Sequence, residues 1–151
     1  MKNRGKLWID HPELGIDREE GNLEFVIVFI EPDVTRAVLA RAAAMTRGLN
    51  ARFSLLAVHT IPYPANFGEP GAVNSFLTMQ LQELCDSCDL PVTAEVVMAR
   101  AREDGFRHAL RPGSTVLVGS RKRWWRTTEE SLARSLAADG HNVLLVRVDV
   151  G

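Results

Sequence analysis

Phe25-Val26-Ile27-Val28-Phe29-Ile30, followed at once by Glu31-Pro32-Asp33, is the stretch on which the fold turns. A short, unbroken apolar run rich in β-branched and aromatic side chains marks a strand buried on both faces, as a parallel sheet covered by helices requires. Pro32 and Asp33 break the run. Val34, Val38, Ala42, Met45 and Leu49 then recur at helical spacing, and Gly48 and Asn50 close that helix. One strand and its crossover helix are thus legible from these residues alone.

The pattern repeats downstream. Phe53 to Val58 reads as a second buried strand, and Ile61 to Gly71, with three prolines and two glycines, as a loop. Val73, Phe76, Leu77, Leu81, Leu84 and Cys88 form an apolar helical stripe. Val92 to Ala99 is a third, more alternating strand, and a short helix from about Glu103 to Leu110 leads to the turn Pro112-Gly113. Val116-Leu117-Val118 is the fourth strand, closed by Gly119. A last helix runs from about Thr128 to Ala138, stops at Asp139-Gly140, and yields to Val143-Leu144-Leu145-Val146. Upstream, residues 1–22 carry Pro12, Gly15 and Gly21 without a sustained period and read as an arm or linker, leaving 23–151 as the domain. Five strands alternating with four helices predict a single doubly wound, five-stranded parallel α/β sheet of Rossmann-like type, with helices on both faces. Ligands of such sheets sit outside the carboxyl ends of the strands, at the switch in strand order. That directs attention to Glu31, to the loop after Val58, and to the segment after Gly119.

The bulk properties agree. A chain of 151 residues suits one domain, and it buries enough surface to need neither metal nor disulfide. With 19 acidic and 18 basic residues the net charge is −1, so no global field draws the molecule to nucleic acid or anionic lipid, and no nucleic-acid partner is expected. Two cysteines, Cys85 and Cys88, fit a reducing compartment rather than a disulfide scaffold. The longest apolar stretch is too short to span a bilayer. Lys2, Arg4 and Lys6 are followed by Trp8-Ile9 and Asp10, without the apolar core of a signal peptide. A cytoplasmic location is the expectation.

Three features resemble the universal stress protein family, and together they span roughly residues 24 to 148. Glu31 stands where the family usually closes its first strand with Asp. Ala51-Arg52-Phe53-Ser54-Leu55-Leu56-Ala57-Val58 is similar to the family's second strand, with Ala57 in place of a histidine. Val116-Leu117-Val118-Gly119-Ser120 opens the family's last loop, and Ser131-Leu132-Ala133 followed by Asn142-Val143-Leu144-Leu145-Val146 looks like its closing helix and strand. Asn142 to Val148 reads as a strand at the sheet edge, where an unpaired apolar strand tends to find a partner; the resemblance implies a five-stranded doubly wound fold and, likewise, a homodimer paired through this strand. It also implies a phosphate cradle, Gly-x-x-Gly, nine residues, then Gly-Ser or Gly-Thr, whose glycines admit backbone N–H groups to a nucleotide. Here Gly119 and Ser131 take the first and last positions, Lys122 and Glu130 replace the second and third glycines, and the loop is two residues shorter. An adenine nucleotide is therefore expected to bind weakly or not at all. The basic, Trp-bearing loop also looks like that of the stress-protein domain of potassium-sensing histidine kinases, where such domains regulate.

Arg121-Lys122-Arg123-Trp124-Trp125-Arg126 is the most unusual segment, with four positive charges in six residues. It reads either as an anion site for a nucleotide, a lipid headgroup or an acidic partner, or as a solvated basic loop with Trp125 packed over the core. Thr127-Thr128-Glu129-Glu130 fits the Thr-x-x-Glu capping pattern, which gives Glu130 a structural role and also sets a carboxylate against any triphosphate. Cys85-Asp86-Ser87-Cys88 invites a redox or zinc reading. A low-pKa thiol favours a helix N-terminus, however, and this pair lies at a helix end without further zinc ligands, so buried cysteines are the better reading. His59 follows the second strand on the ligand side and is either a contact to a bound base or a polar strand end. The sequence does not identify what His11, His108 and His141 contact, and neither a nucleophile elbow nor a catalytic triad stands out.

These residues predict a non-catalytic regulatory or binding domain that takes an anionic small molecule or a partner through the loop after the fourth strand. Its expected ligand-binding residues are Glu31, Val58, Gly119, Ser120, Arg121 and Lys122, with Arg123, Arg126 and Ser131 beside them; no catalytic or metal-binding residue is expected. A related expectation is that the chain is the cytoplasmic domain of a membrane transporter or sensor, its basic, Trp-containing start suiting a stretch that leaves a membrane. The alternative is a nucleotide hydrolase, an ATPase on the same fold.

Overall fold

Alternation within the apolar runs sets the layers. In the computed structural model, which describes residues 5–10, 23–61, 72–88 and 90–149, strand β2 (Leu23–Phe29) turns Phe25, Ile27 and Phe29 to one face of the sheet and Val28 to the other. The first face is covered by α1 (Pro32–Met45) and α2 (Ala72–Asp86), which bury Val34, Val38, Leu39, Ala42, Leu81 and Leu84 there. The second is covered by α3 (Arg102–Ala109) and α4 (Thr128–Ala138), through Phe106, Leu132, Ala133, Leu136 and Ala137. Strands buried on both sides carry apolar residues at consecutive positions, which is why the runs are continuous.

The remaining strands are β1 (Leu7–Ile9), β3 (Ala51–Thr60), β4 (Val92–Ala99), β5 (Thr115–Arg121) and β6 (Asn142–Val148). All are parallel, in the order β1-β6-β5-β2-β3-β4. The switch in strand order falls between β2 and β5. The sheet is thus α/β and doubly wound, as expected, but it has six strands rather than five.

The sixth strand corrects two expectations. Leu7-Trp8-Ile9, read as part of an arm, pairs with Val143-Leu144-Leu145 and belongs to the domain. Trp8, expected in a stretch leaving a membrane, packs against the first core face. The C-terminal strand β6, expected at the sheet edge, lies between β5 and β1; a dimer through this strand would first have to displace β1. Smaller differences concern the helices. Gly48, at φ +81°, lies in the left-handed region that ends α1, but Leu49 is exposed rather than part of its buried stripe. Phe76, expected in the core, is 61% exposed on α2. Residues 62–71, expected to form a loop, the side chain of Val73, and Lys2, Arg4 and His11 lie outside the described residues. No described helix is long and apolar enough to cross a membrane.

What holds so short a strand is an anchor just beyond it. Asp10, itself at φ +50°, accepts the Arg147 backbone N–H at Oδ1 and its Nε at Oδ2, both at 2.7 Å. Burial pushes the Asp10 carboxyl up, but the hydrogen bonds and charge of Arg147 outweigh it and hold the pKa below its ordinary value of 3.8. A depressed carboxyl contributes stability in full above its unfolded value and loses it as pH falls through the lower folded value. The hydrogen-exchange protection of Leu7–Ile9, relative to the intrinsic rate at each pH, is therefore expected to fall below about pH 4, while the core strands stay protected. Asp10→Asn should show the low protection already at neutral pH. Equal protection of β1 in both proteins at both pH values would show that the anchor is idle.

Candidate functional site

The carboxyl ends of β2 and β5 part at the switch point, and a crevice of about 220 Å³ opens between them. Ile30, Glu31 and Val34 line it from the β2–α1 side, and Gly119, Ser120 and Arg121 from β5. The loop after β5 adds Arg123, Trp125 and Arg126, and the first turn of α4 closes it with Thr127, Thr128 and Glu129. The positive end of the α4 dipole is thus directed at the crevice.

Local sequence explains each part. Strand β5 does not stop at Gly119, because β6 keeps pairing with it: Ser120 lies opposite Arg147, Arg121 opposite Val148, and the Lys122 N–H donates to the Val148 carbonyl at 3.0 Å. Gly119 sits under α1, and a Cβ there would come within 2.6 Å of a Val34 methyl and 2.5 Å of a Val38 methyl. The glycine is a packing requirement. Buried Ser120 and half-buried Thr127 share a hydroxyl hydrogen bond of 2.7 Å across the loop. Thr127 Oγ1 also accepts the Glu130 N–H at 3.1 Å, the N-cap that the Thr-x-x-Glu pattern predicts. Both ends of the basic loop are therefore tied down.

The electrostatics are less simple than a basic patch. Arg121 forks onto Glu31, with Nε donating to Oε2 at 3.0 Å and Nη2 to Oε1 at 3.2 Å. The hydrogen bond to Glu31, with the charges of Glu31, Asp33 and Glu129, raises the Arg121 pKa against a smaller opposing effect of burial. Two residues expected to receive a ligand thus hold each other. Three arginines face two glutamates in the crevice, a cationic surplus of one charge; Arg121 is engaged by Glu31, and Arg126 lies 3.7 Å from Glu130 outside the crevice.

Several expected residues fall elsewhere. Lys122 points into a separate, open concavity on the β1 side of the loop. Glu130 turns toward Arg126 at 3.7 Å and Arg134 at 3.9 Å instead of the crevice; the carboxylate that lines the crevice from α4 is Glu129. Ser131 is exposed on α4 and does not line the crevice, and Val58 packs beneath α3 against Gly105. His59 does not line it either. The sequence reading missed Thr127 and Thr128 as crevice hydroxyls, although the capping pattern had already placed them at the helix entrance. Cys85 and Cys88 are free, half-buried and packed against the first core face. Burial, then the charges of Asp86 and Cys88, pushes the Cys85 thiol up, away from a reactive thiolate. Among the described residues no cluster of His, Cys, Asp or Glu is placed to hold a metal.

Comparison of the backbone with solved structures finds the universal stress protein from Archaeoglobus fulgidus, at a TM-score of 0.52 and 10% identity, over 82% of this chain and 92% of that one. The fold is that of a universal stress protein. At this identity the likeness is one of fold. No family model matches the chain, and no curated protein matches it. Set on the stress-protein fold, the crevice occupies the switch-point position where a doubly wound sheet receives ligands. Its volume falls below the roughly 300–1,000 Å³ of ordinary small-molecule pockets.

Proposed function

We propose that this stress-protein-like domain is a binding or regulatory module whose switch-point crevice takes a small phosphate-type anion, or the anionic group of a partner, without catalysing its conversion. The observation that carries this reading is the convergence of Arg123, Arg126 and the first turn of α4 on one crevice at the carboxyl ends of β2 and β5. Guanidinium groups and a helix N-terminus are complementary to a phosphate. Two features argue for a small anion over a whole nucleotide. The crevice is narrow, and the Glu31–Arg121 fork occupies one wall of it. A carboxylate held by both oxygens is also poorly placed to serve as a general base.

Polyphosphate binding by the double variant Arg123→Ser, Arg126→Ser tests this directly. Each lost charge-assisted contact should weaken binding about tenfold, so the pair should lose about a hundredfold together with most of the salt dependence. The melting temperature should hardly move, since both side chains are exposed. Undiminished binding by the variant would leave the loop a solvated basic surface. Steady phosphate release from Mg-ATP, absent in the same variant, would instead favour a hydrolase.

A further inference from the structure

The loop between β5 and α4 has a second face, on which Lys122 and Trp124 lie outside the crevice while Arg123 and Trp125 border both. Trp124, 91% exposed, is the most exposed of the described aromatic side chains, and Trp125 is 51% exposed. Their rings meet edge to face, centroids 5.2 Å apart at 89°, and the Arg123 guanidinium lies 5.8 Å over the Trp125 ring. Lys122, Arg123 and Arg147 share the open concavity beside them with one acid among the described residues, Asp10. That acid is already taken by Arg147, and Lys122 and Arg123 have no carboxylate partner among the described residues. Two unburied indoles on a short loop, with a cationic flank whose only acid among the described residues is held by Arg147, form an amphipathic tip.

We propose that this tip docks on an anionic membrane surface, with Trp124 and the edge of Trp125 entering the headgroup region while Lys122 and Arg123 meet lipid phosphates. Indole rings favour that region because it is wet at one end and apolar at the other, and anionic lipid attracts each nearby cation. A single-stranded nucleic acid fits less well. Stacking needs ring faces presented side by side along a charged groove, whereas these rings are perpendicular and Arg123 covers one face of Trp125. The inference goes beyond the crevice reading and does not depend on it, since neither Lys122 nor Trp124 lines the crevice.

Sedimentation of the full chain with phosphatidylcholine vesicles, with and without phosphatidylglycerol, tests it alongside indole emission. The chain should partition onto the anionic vesicles only, with a blue shift that brominated acyl chains quench. W124A should lower the partition coefficient about fivefold, and K122S by a similar factor that added salt erases. Both side chains are solvent-exposed, so the variants should melt with the parent. Equal partition of W124A and parent would overturn the proposal. So would an emission that anionic vesicles leave unshifted while single-stranded oligonucleotide shifts it. Pyrophosphate titration of the same variants reads the crevice separately, so failure at either site is recognised as such.

Discussion

Replacing Gly119 with valine should lower the unfolding free energy by about 3 kcal/mol, equivalent to roughly 10 °C in melting temperature for a domain of this size. The reason is steric. Val34 and Val38 of α1 lie against the strand so closely that even a Cβ would sit within 2.6 Å of both, and a branched side chain leaves them nowhere to retreat against the fully buried surroundings of Val38. Thermal denaturation checks the size of the effect, and a double-mutant cycle checks its cause. Gly119→Ala should cost about 1–2 kcal/mol alone and much less of its own in a Val38→Ala background, because the second truncation makes the room that the first requires. Additive penalties would show that the glycine is needed for something other than the approach of α1. The distinction bears on function. A glycine retained for helix packing is no sign of a phosphate cradle, so this position gives a nucleotide site no support.

Replacing Glu129 with glutamine should strengthen anion binding about tenfold, while Glu130→Gln changes it about twofold or less. A carboxylate at about 4 Å from a bound anion costs about 1 kcal/mol in water and about 4 near a protein surface, which brackets the expected gain. Glu129 lines the crevice, and its charge is felt by Arg121. Glu130 is turned to Arg126 and Arg134. Neighbouring residues of one helix turn thus differ in their effect on a ligand, because consecutive positions point about 100° apart around the axis. Calorimetric titration of pyrophosphate into the two variants separates them. A larger gain from Glu130→Gln would place its carboxylate in the crevice, where the sequence comparison had set it.

The strands built on continuous apolar runs were legible because burial on both faces leaves a dense local signature, as in Phe25–Ile30 and Phe53–Val58. Strand β1 was not. Leu7-Trp8-Ile9 has no period of its own and is a strand because β6 and Arg147, far along the chain, supply its partners. Missing it put β6 at the edge. Phe76 shows the opposite error: helical spacing marks a stripe, yet α2 lies over β3 and β4 at the margin of the sheet, where Leu81 and Leu84 find cover and Phe76 does not. At the site, the Thr127 cap was readable from four consecutive residues. The Glu31–Arg121 fork was not, since it joins positions 90 apart, and the choice between Glu129 and Glu130 depends on a helix phase that a comparison of motifs does not fix. Glu31, Arg121, Arg123 and Arg126 thus stand at the strand ends where the sequence put them, whereas Lys122 and Glu130 face elsewhere and Glu129 lines the crevice instead.

The measurement that bears most directly on the crevice as an anion site is an amide chemical-shift map of the chain titrated with inorganic pyrophosphate. The largest changes are expected at Ser120, Arg121 and Thr127–Glu129, reduced by salt and absent in the Arg123→Ser, Arg126→Ser variant. Changes centred on another part of the surface, or an unchanged map in the variant, would contradict it.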